Sequence, residues 1–151
     1  MANPLAVALL LLGSGAFVPQ GPAAVSGAVS VQEQCLDGGI YEVQGSFGLD
    51  PRISGQMVWS VLSDYDHLGH FISSLRESEV KRRLGHEVLL EQDGAGKGLL
   101  ALEPFRVLLH VHEEPETEID FHDILHRDFD LYEGSWSLRA RPGGWAVVYR
   151  L

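Results

Sequence analysis

The chain has 151 residues, of which 45% are hydrophobic and 21% charged, and its mean hydropathy is near zero. This composition excludes wholesale disorder and is sufficient for one domain with a buried core. The 21 acidic residues outnumber the 11 basic ones, and the resulting formal charge of −10 repels nucleic-acid phosphates and anionic lipid headgroups. We therefore predict that nucleic acid is not a partner.

Residues 1–28 contain no charged side chain and include an apolar run at 5–12. That run is too short for a permanent membrane span, and small residues up to Ala28 fit a signal peptidase site. We therefore predict a secretory signal peptide over 1–28 and a periplasmic or secreted mature protein. A basic residue after Met1 is missing, so an uncleaved anchor and a disordered leader are the alternatives.

The next segment, residues 29–39, is predicted to be a flexible mature N-terminus. Its Cys35 is the single cysteine of the chain, so no intramolecular disulfide is possible. Residues 40–49 alternate with the period of a strand, and the Asp-Pro pair that follows favours a turn into a helix.

Helical spacing replaces this alternation over residues 54–65. Starting from Met57, apolar side chains recur one, four, five and eight residues later. This spacing is typical of one face of an amphipathic helix. A second, shorter helical turn is predicted directly afterwards. The apolar positions of the two are Met57, Val58, Val61, Leu62 and Tyr65, followed by Leu68, Phe71 and Ile72.

The remaining chain is predicted to form a meander of strands. They are expected over 78–83, 86–92, 99–112, 119–125, 131–140 and 145–151, with tight turns at 93–98 and 142–144. Together with the first strand, this order indicates an α+β fold in which two short helices close one end of an antiparallel sheet of about seven strands.

Four of these strands place aromatic and aliphatic residues on one face. A face of this kind meets either a packed core or a ligand, and the residues alone leave both open. In a ligand-binding hollow, a tyrosine hydroxyl or a tryptophan N–H would orient a polar head group. The faces are Phe105, Val107, Leu109 and Val111; Ile119 and Phe121; Tyr132, Gly134, Trp136 and Leu138; and Val147 and Tyr149.

Two segments carry a resemblance to a known family. The first matches its Trp-x-x-Leu-x-Asp-Tyr pattern and a later Phe, and the second matches its Phe-x-x-Tyr-x-Gly-x-Trp-x-Leu pattern. The matching residues are Trp59, Leu62, Asp64, Tyr65 and Phe71, then Phe129, Tyr132, Gly134, Trp136 and Leu138, with Tyr149 as the aromatic of the last strand. On these motifs the chain resembles the START-like (SRPBCC) superfamily of Bet v 1-type helix-grip proteins, in its polyketide cyclase/dehydrase or coenzyme-Q-binding branch.

The resemblance implies a domain over residues 40–151 whose curved sheet surrounds a hydrophobic cavity. It implies a module that binds a quinone, isoprenoid, fatty acid or phospholipid without a cofactor. The residues expected to line the cavity are Trp59, Phe71, Phe105, Val107, Leu109, Phe121, Tyr132, Trp136 and Tyr149.

The family also places a long C-terminal helix across the mouth of the sheet, and the 151-residue sequence stops within the last predicted strand, before such a helix. We expect a domain truncated at this end. The alternatives are a homodimer formed through the open sheet face and a cavity roofed by lipid.

An enzyme of the polyketide cyclase or dehydratase type would use the same cavity. It requires an acid or base that points inward with a shifted pKa. The candidates by position are Glu103, Arg106, His70 and Tyr132, and they form no convincing pair. His67, on the second helical turn, is a further position at the cavity rim.

The spacing of His110 and His112 puts two imidazoles on one side of a strand, a geometry that zinc sites use. His122 and His126 follow on the next strand, near Asp120 and Asp123. However, His110 and His112 alternate with the apolar Leu109 and Val111, which favours a polar outer face. We therefore predict no metal site.

Overall fold

The computed structural model describes residues 29–97 and 102–151, so the predicted signal peptide lies outside the described part. Its one α-helix there is α1 (Gly55–Leu62), and two short 3-10 helices span Asp37–Gly39 and Tyr65–His70. The strands are β1 (Ser30–Cys35), β2 (Tyr41–Gly48), β3 (Leu75–Leu84), β4 (Glu87–Lys97), β5 (Leu102–Glu114), β6 (Glu118–Asp123), β7 (Glu133–Arg141) and β8 (Gly144–Arg150).

All strands belong to one antiparallel sheet, in the order β1-β2-β8-β7-β6-β5-β4-β3. The sheet is curved, and the helices between β2 and β3 cover part of its concave face. This confirms the predicted α+β helix-grip architecture. The described residues end with β8 and contain no C-terminal helix. No helix in the described ranges is long and apolar enough to cross a membrane.

The segment predicted to be a flexible N-terminus, residues 29–39, contains a strand. β1 pairs with β2 along its whole length, from Ser30 opposite Ser46 to Cys35 opposite Tyr41. Its side chains are all exposed, so no apolar periodicity marks it in the sequence. Backbone hydrogen bonds to β2 hold it, and these leave little trace in side-chain patterns. The sheet therefore has eight strands among the described residues, against the seven or so predicted.

The predicted helix over 54–65 is divided into two elements. Ser54 caps α1, since its side chain accepts a hydrogen bond from the Met57 N–H at 3.2 Å. At the other end, the Trp59 carbonyl accepts hydrogen bonds from both the N–H and the hydroxyl of Ser63, at 2.9 and 2.8 Å, where the helix ends. The chain then continues as the 3-10 helix that begins at Tyr65.

The hairpin turn predicted at 93–98 lies elsewhere. β4 continues to Lys97, and Asp93 and Gly94 pair with Arg106 and Phe105 of β5. Gly94 serves close packing rather than a turn: a Cβ there would lie 2.0 Å from the Ser74 carbonyl oxygen. The connection between β4 and β5 therefore includes 98–101, outside the described residues.

Candidate functional site

A cavity of about 180 Å³ lies between the helices and the concave face of the sheet. The described residues that line it carry no charged side chain, and most are aliphatic or aromatic. They are Val61, Leu62, Tyr65, Leu68, Phe71 and Ile72 from the helical side, and Leu90, Gln92, Leu109, Val111, Ile119, Phe121, Tyr132, Trp136 and Tyr149 from the sheet side. These lining residues offer no charged group that could form an ion pair with a ligand, and their apolar surface suits an apolar ligand.

The sheet wall of the cavity is a row of large side chains across three strands. Antiparallel register places Ile119 of β6 opposite Trp136 of β7, and Trp136 opposite Tyr149 of β8. The Trp136 and Tyr149 rings are 4.4 Å apart between centroids, and Phe121 stacks on Tyr149 at 6.5 Å. Gly134 faces Phe121, and a Cβ there would lie 2.7 Å from the end of its ring, so this glycine provides space for the aromatic row.

On the helical side, Tyr65 is fixed by a polar network that runs from its buried hydroxyl through the buried Glu113 to the partly exposed Arg83. Its hydroxyl donates to Glu113 Oε1 at 2.7 Å, and the Arg83 guanidinium donates to Glu113 Oε2 at 2.8 Å. Arg83 also lies 5.7 Å from the centre of the Tyr65 ring. Burial, followed by the hydrogen bond to Glu113, raises the pKa of Tyr65 far above its ordinary value. The network attaches the 3-10 helix to the end of β5.

On the sheet side, the Tyr149 hydroxyl is buried and has no hydrogen-bond partner among the described residues. Tyr149 as a whole is 2% exposed. Burial raises the pKa of Tyr149 well above 10, and the neighbouring Tyr132 raises it further. Burial also raises the pKa of Tyr132, with a contribution from Asp123. Both phenols therefore stay protonated and neutral around neutral pH.

Six of the nine residues predicted to line a cavity do so. They are Phe71, Leu109, Phe121, Tyr132, Trp136 and Tyr149. The structure thus brings together on one cavity residues from the helical side and from the sheet that are up to 78 residues apart in the chain (Phe71 and Tyr149).

The structure places the other three, Trp59, Phe105 and Val107, away from this lining. Phe105 is covered by Phe129, whose ring lies edge-on at 6.0 Å, and Val107 is fully buried in the same cluster. Trp59 is half-buried and packs against that cluster too. The segment leading into β7 therefore fills the end of the concave face where Phe105 and Val107 lie.

Several lining residues are absent from the sequence-based list. The lining residues on α1 and the 3-10 helix, such as Leu62 and Leu68, belong to the apolar face that helical spacing predicts. That spacing shows that the face packs against the sheet, but it does not show which of its residues border a cavity. Gln92 is a different case, because it alternates with the buried Val88 and Leu90 on β4 and therefore points inward. Its amide donates to the Ser78 hydroxyl at 3.2 Å. The sequence signal that would have identified Gln92 is therefore a polar residue at a position where strand alternation expects an inward-facing apolar one.

Of the four acid–base candidates, only Tyr132 lines the cavity. Arg106 is exposed, and its guanidinium lies 3.9 Å from Glu91 on the outer surface. His70 is exposed, Glu103 is half-buried, and neither is part of the lining.

The histidines of β5 lie on the outer face of the sheet, as their alternation with Leu109 and Val111 predicts. His110 Nε2 and His112 Nδ1 both contact the Glu87 carboxylate, at 2.8 and 2.6 Å. The described residues contain no group of three or more His, Cys, Asp or Glu arranged to hold a metal ion.

A second, more open hollow of about 470 Å³ lies beside the ends of β6, β7 and β8. It shares Phe121 and Tyr132 with the cavity, but its lining includes Glu42, Asp120, Glu133 and other polar residues. We assign the candidate site to the smaller cavity, because only that one is uncharged and lies under the helices.

Comparison with known families gives one match over most of the described chain. Residues 54–151 match the family described as "Polyketide cyclase / dehydrase and lipid transport". No curated protein matches the sequence.

Solved structures share the fold at low sequence identity. A STAR-related lipid transfer protein fragment from Xanthomonas axonopodis is 15% identical with a TM-score of 0.65, over 83% of this chain and 78% of that chain. A protein of Thermus thermophilus is 22% identical with a TM-score of 0.59, over 72% and 70%. The di-domain ARO/CYC protein StfQ of the steffimycin pathway is 14% identical with a TM-score of 0.58, and the match covers 72% of this chain but 35% of StfQ.

Proposed function

We propose that this chain, which belongs to the polyketide cyclase/dehydrase and lipid transport family, binds and carries a small hydrophobic molecule in the cavity beneath its helices. The observation that carries the proposal is the cavity of about 180 Å³ between α1, the 3-10 helix and the concave sheet, whose described lining is uncharged. Burial of apolar ligand surface would drive binding, at roughly 25 cal/mol per Å² before the costs of association.

Carriage rather than catalysis is favoured by what lines the cavity. General acid–base catalysis needs a titratable group whose pKa is near the working pH and within hydrogen-bonding reach of the substrate. The titratable side chains in the lining are tyrosines, and burial moves the pKa values of Tyr65, Tyr132 and Tyr149 upward, away from neutrality. Quinones, isoprenoids and lipids are the ligand classes that an uncharged cavity in this family suits.

The first test is organic extraction and mass spectrometry of the protein, purified without detergent. A hydrophobic molecule at close to one per chain is the expected result. The matched variants are Leu62→Trp, which fills the cavity from α1, and Met57→Trp, which adds the same ring to the exposed side of that helix. Loss of the ligand in Leu62→Trp alone supports the proposal, whereas an empty wild-type protein, or retention in both variants, contradicts it.

Export is the second part of the proposal and rests on the charge-free segment 1–28. Expressed from its own start codon in a bacterium, the protein should be recovered outside the cytoplasm with a new N-terminus at residue 29. N-terminal sequencing measures this directly, and an intact Met1 in the cytoplasmic fraction would contradict it.

A homodimer through the open sheet face stays a prediction of the sequence. Light scattering over a hundredfold concentration range would detect it as a doubling of the mass of the mature 29–151 chain, and a constant monomer mass would exclude it over that range.

A further inference from the structure

We infer that the cavity recognises a neutral ligand with a hydrogen-bond acceptor, such as a carbonyl oxygen, and that the Tyr149 hydroxyl is the group that binds this acceptor. The inference rests on the proposed function and specifies the chemistry of its ligand. It follows from three features of the cavity: an unpartnered hydroxyl, an uncharged lining, and a volume near that of one ring.

The unpartnered hydroxyl is the first feature. A buried hydroxyl without a hydrogen bond is costly, and most buried polar groups in proteins are paired. Tyr149 belongs to the cavity lining, and its ring packs between Phe121 and Trp136. Its hydroxyl has no hydrogen-bond partner in the described ranges. The hydroxyl itself is covered by neighbouring atoms, so a ligand acceptor would satisfy it after a small displacement of the side chains between it and the cavity. Because burial raises the pKa of Tyr149, the O–H stays available as a donor.

The uncharged lining is the second feature. A carboxylate or phosphate placed in the cavity would need a cation or several donors to offset its desolvation. The Arg83 guanidinium, which lies against the ring of the lining residue Tyr65, is already engaged by Glu113, which also accepts from Tyr65. An anionic head group therefore finds no free cation among the described residues of the wall. This selects neutral ligands.

The volume is the third feature. A dry apolar cavity of about 150 Å³ is large enough for benzene, so a cavity of about 180 Å³ holds a single substituted ring or a short branched chain. Val61 and Phe71 line the same cavity and are 55% and 70% exposed, so they mark its mouth. A longer ligand would insert its polar end toward Tyr149 and leave its remaining apolar part at these two side chains.

A pair of ring-sized probes tests the inference. Acetophenone and α-methylstyrene have nearly the same shape, but only acetophenone has a carbonyl oxygen. Their dissociation constants are measured by NMR titration for the wild type, for Tyr149→Phe, and for Tyr41→Phe as a control that removes an exposed hydroxyl outside the cavity. Benzoate is the anionic probe.

We expect Tyr149→Phe to weaken acetophenone binding about three- to tenfold, the worth of one hydrogen bond, and to leave α-methylstyrene binding unchanged or tighter. Tyr41→Phe should change neither constant, and benzoate should bind at least tenfold more weakly than acetophenone.

The contrary outcomes separate the two proposals. If both neutral probes bind and Tyr149→Phe affects them equally, or if benzoate binds as tightly as acetophenone, the inference fails while hydrophobic binding stands. If neither neutral probe binds the wild type, while the cavity variant Leu62→Trp behaves like the wild type in every titration, both the inference and the proposed function fail.

Discussion

Tyr65 and Tyr149 are both buried tyrosines that line the cavity, yet only Tyr65 has a hydrogen-bond partner for its hydroxyl among the described residues. Tyr65 belongs to the helical side and donates to Glu113, which in turn accepts from Arg83. Tyr149 belongs to the sheet side, where apolar rings surround it. Two tyrosines of similar burial therefore differ in whether the protein supplies a hydrogen-bond partner for the hydroxyl.

The difference separates a hydroxyl that holds the fold from a hydroxyl that, on our inference, a ligand satisfies. A paired buried hydroxyl fixes one element against another, and removal of either partner leaves the other unsatisfied. An unpaired buried hydroxyl lowers the stability of the ligand-free protein, and it gains a partner only when a ligand binds in the cavity. Removal of the Tyr65 hydroxyl should consequently lower the stability of the ligand-free protein, whereas removal of the Tyr149 hydroxyl should not.

The largest effect is expected from Glu113→Ala on the helical side. The change leaves the Tyr65 hydroxyl buried without an acceptor and removes the carboxylate that Arg83 contacts. Because Arg83 is partly exposed and regains water, we expect a loss of about 2–3 kcal/mol in the free energy of unfolding. Urea denaturation measures it, with Glu114→Ala, the exposed neighbour on the same strand, as the control. Equal effects of the two changes would show that the network does not hold the 3-10 helix.

Gly134→Ala tests how the sheet side is held together without polar groups. The added Cβ would lie 2.2 Å from the Arg150 carbonyl oxygen and 2.7 Å from the Phe121 ring, so β7 must move away from β8. We expect a loss of about 1–3 kcal/mol in unfolding free energy, together with weaker ligand binding, since the aromatic row shifts. Gly69→Ala, where the nearest atom is 3.6 Å away, is the control for added volume. A Gly134→Ala protein as stable as the Gly69→Ala protein would contradict this account.

The pair Tyr65→Phe and Tyr149→Phe tests the comparison itself. Tyr65→Phe loses the 2.7 Å hydrogen bond to Glu113 and should destabilise the ligand-free protein by about 1 kcal/mol. Tyr149→Phe loses no hydrogen bond within the described chain, so its melting temperature, measured without ligand, should stay the same or rise. A fall in the Tyr149→Phe protein as large as in Tyr65→Phe would mean that the Tyr149 hydroxyl is already paired in the protein.

Much of the architecture follows from side-chain periodicity, and its errors have identifiable causes. The alternation over β5 correctly assigns Leu109 and Val111 to the inside and His110 and His112 to the outside. The turn predicted around Gly94 is wrong, because a glycine that admits a neighbouring backbone looks in sequence like a glycine that bends the chain.

The candidate site is harder to predict than the fold. Phe105 and Leu109 share one strand face, and nothing in that face distinguishes them. Phe105 is packed because Phe129, 24 residues later in the chain, lies against it. Leu109, which is equally buried from solvent, instead borders the cavity. Which part of an apolar face stays unfilled depends on such long-range packing, and local spacing does not encode it.

The smallest effect is expected from the charged outer face, where pH should alter stability but not binding. Contact with Glu87 raises the pKa of His112, and contact with His112 lowers the pKa of Glu87. The His112 contribution is therefore complete below its unfolded pKa of about 6.5 and is lost as the pH rises through the raised value, whereas the Glu87 contribution is lost as the pH falls below about 4.3.

Between pH 6 and pH 8 the melting temperature of the wild type should thus fall relative to that of His112→Gln, and by less in 0.5 M salt, because the pair is exposed to solvent. His86→Gln, at an exposed position on the turn before β4, is the control. Over the same range the affinity for acetophenone should stay constant, since the described residues of the cavity lining include no carboxylate, imidazole or amine. A binding constant that followed the His112 titration would instead place a charged group of the outer face in contact with the ligand.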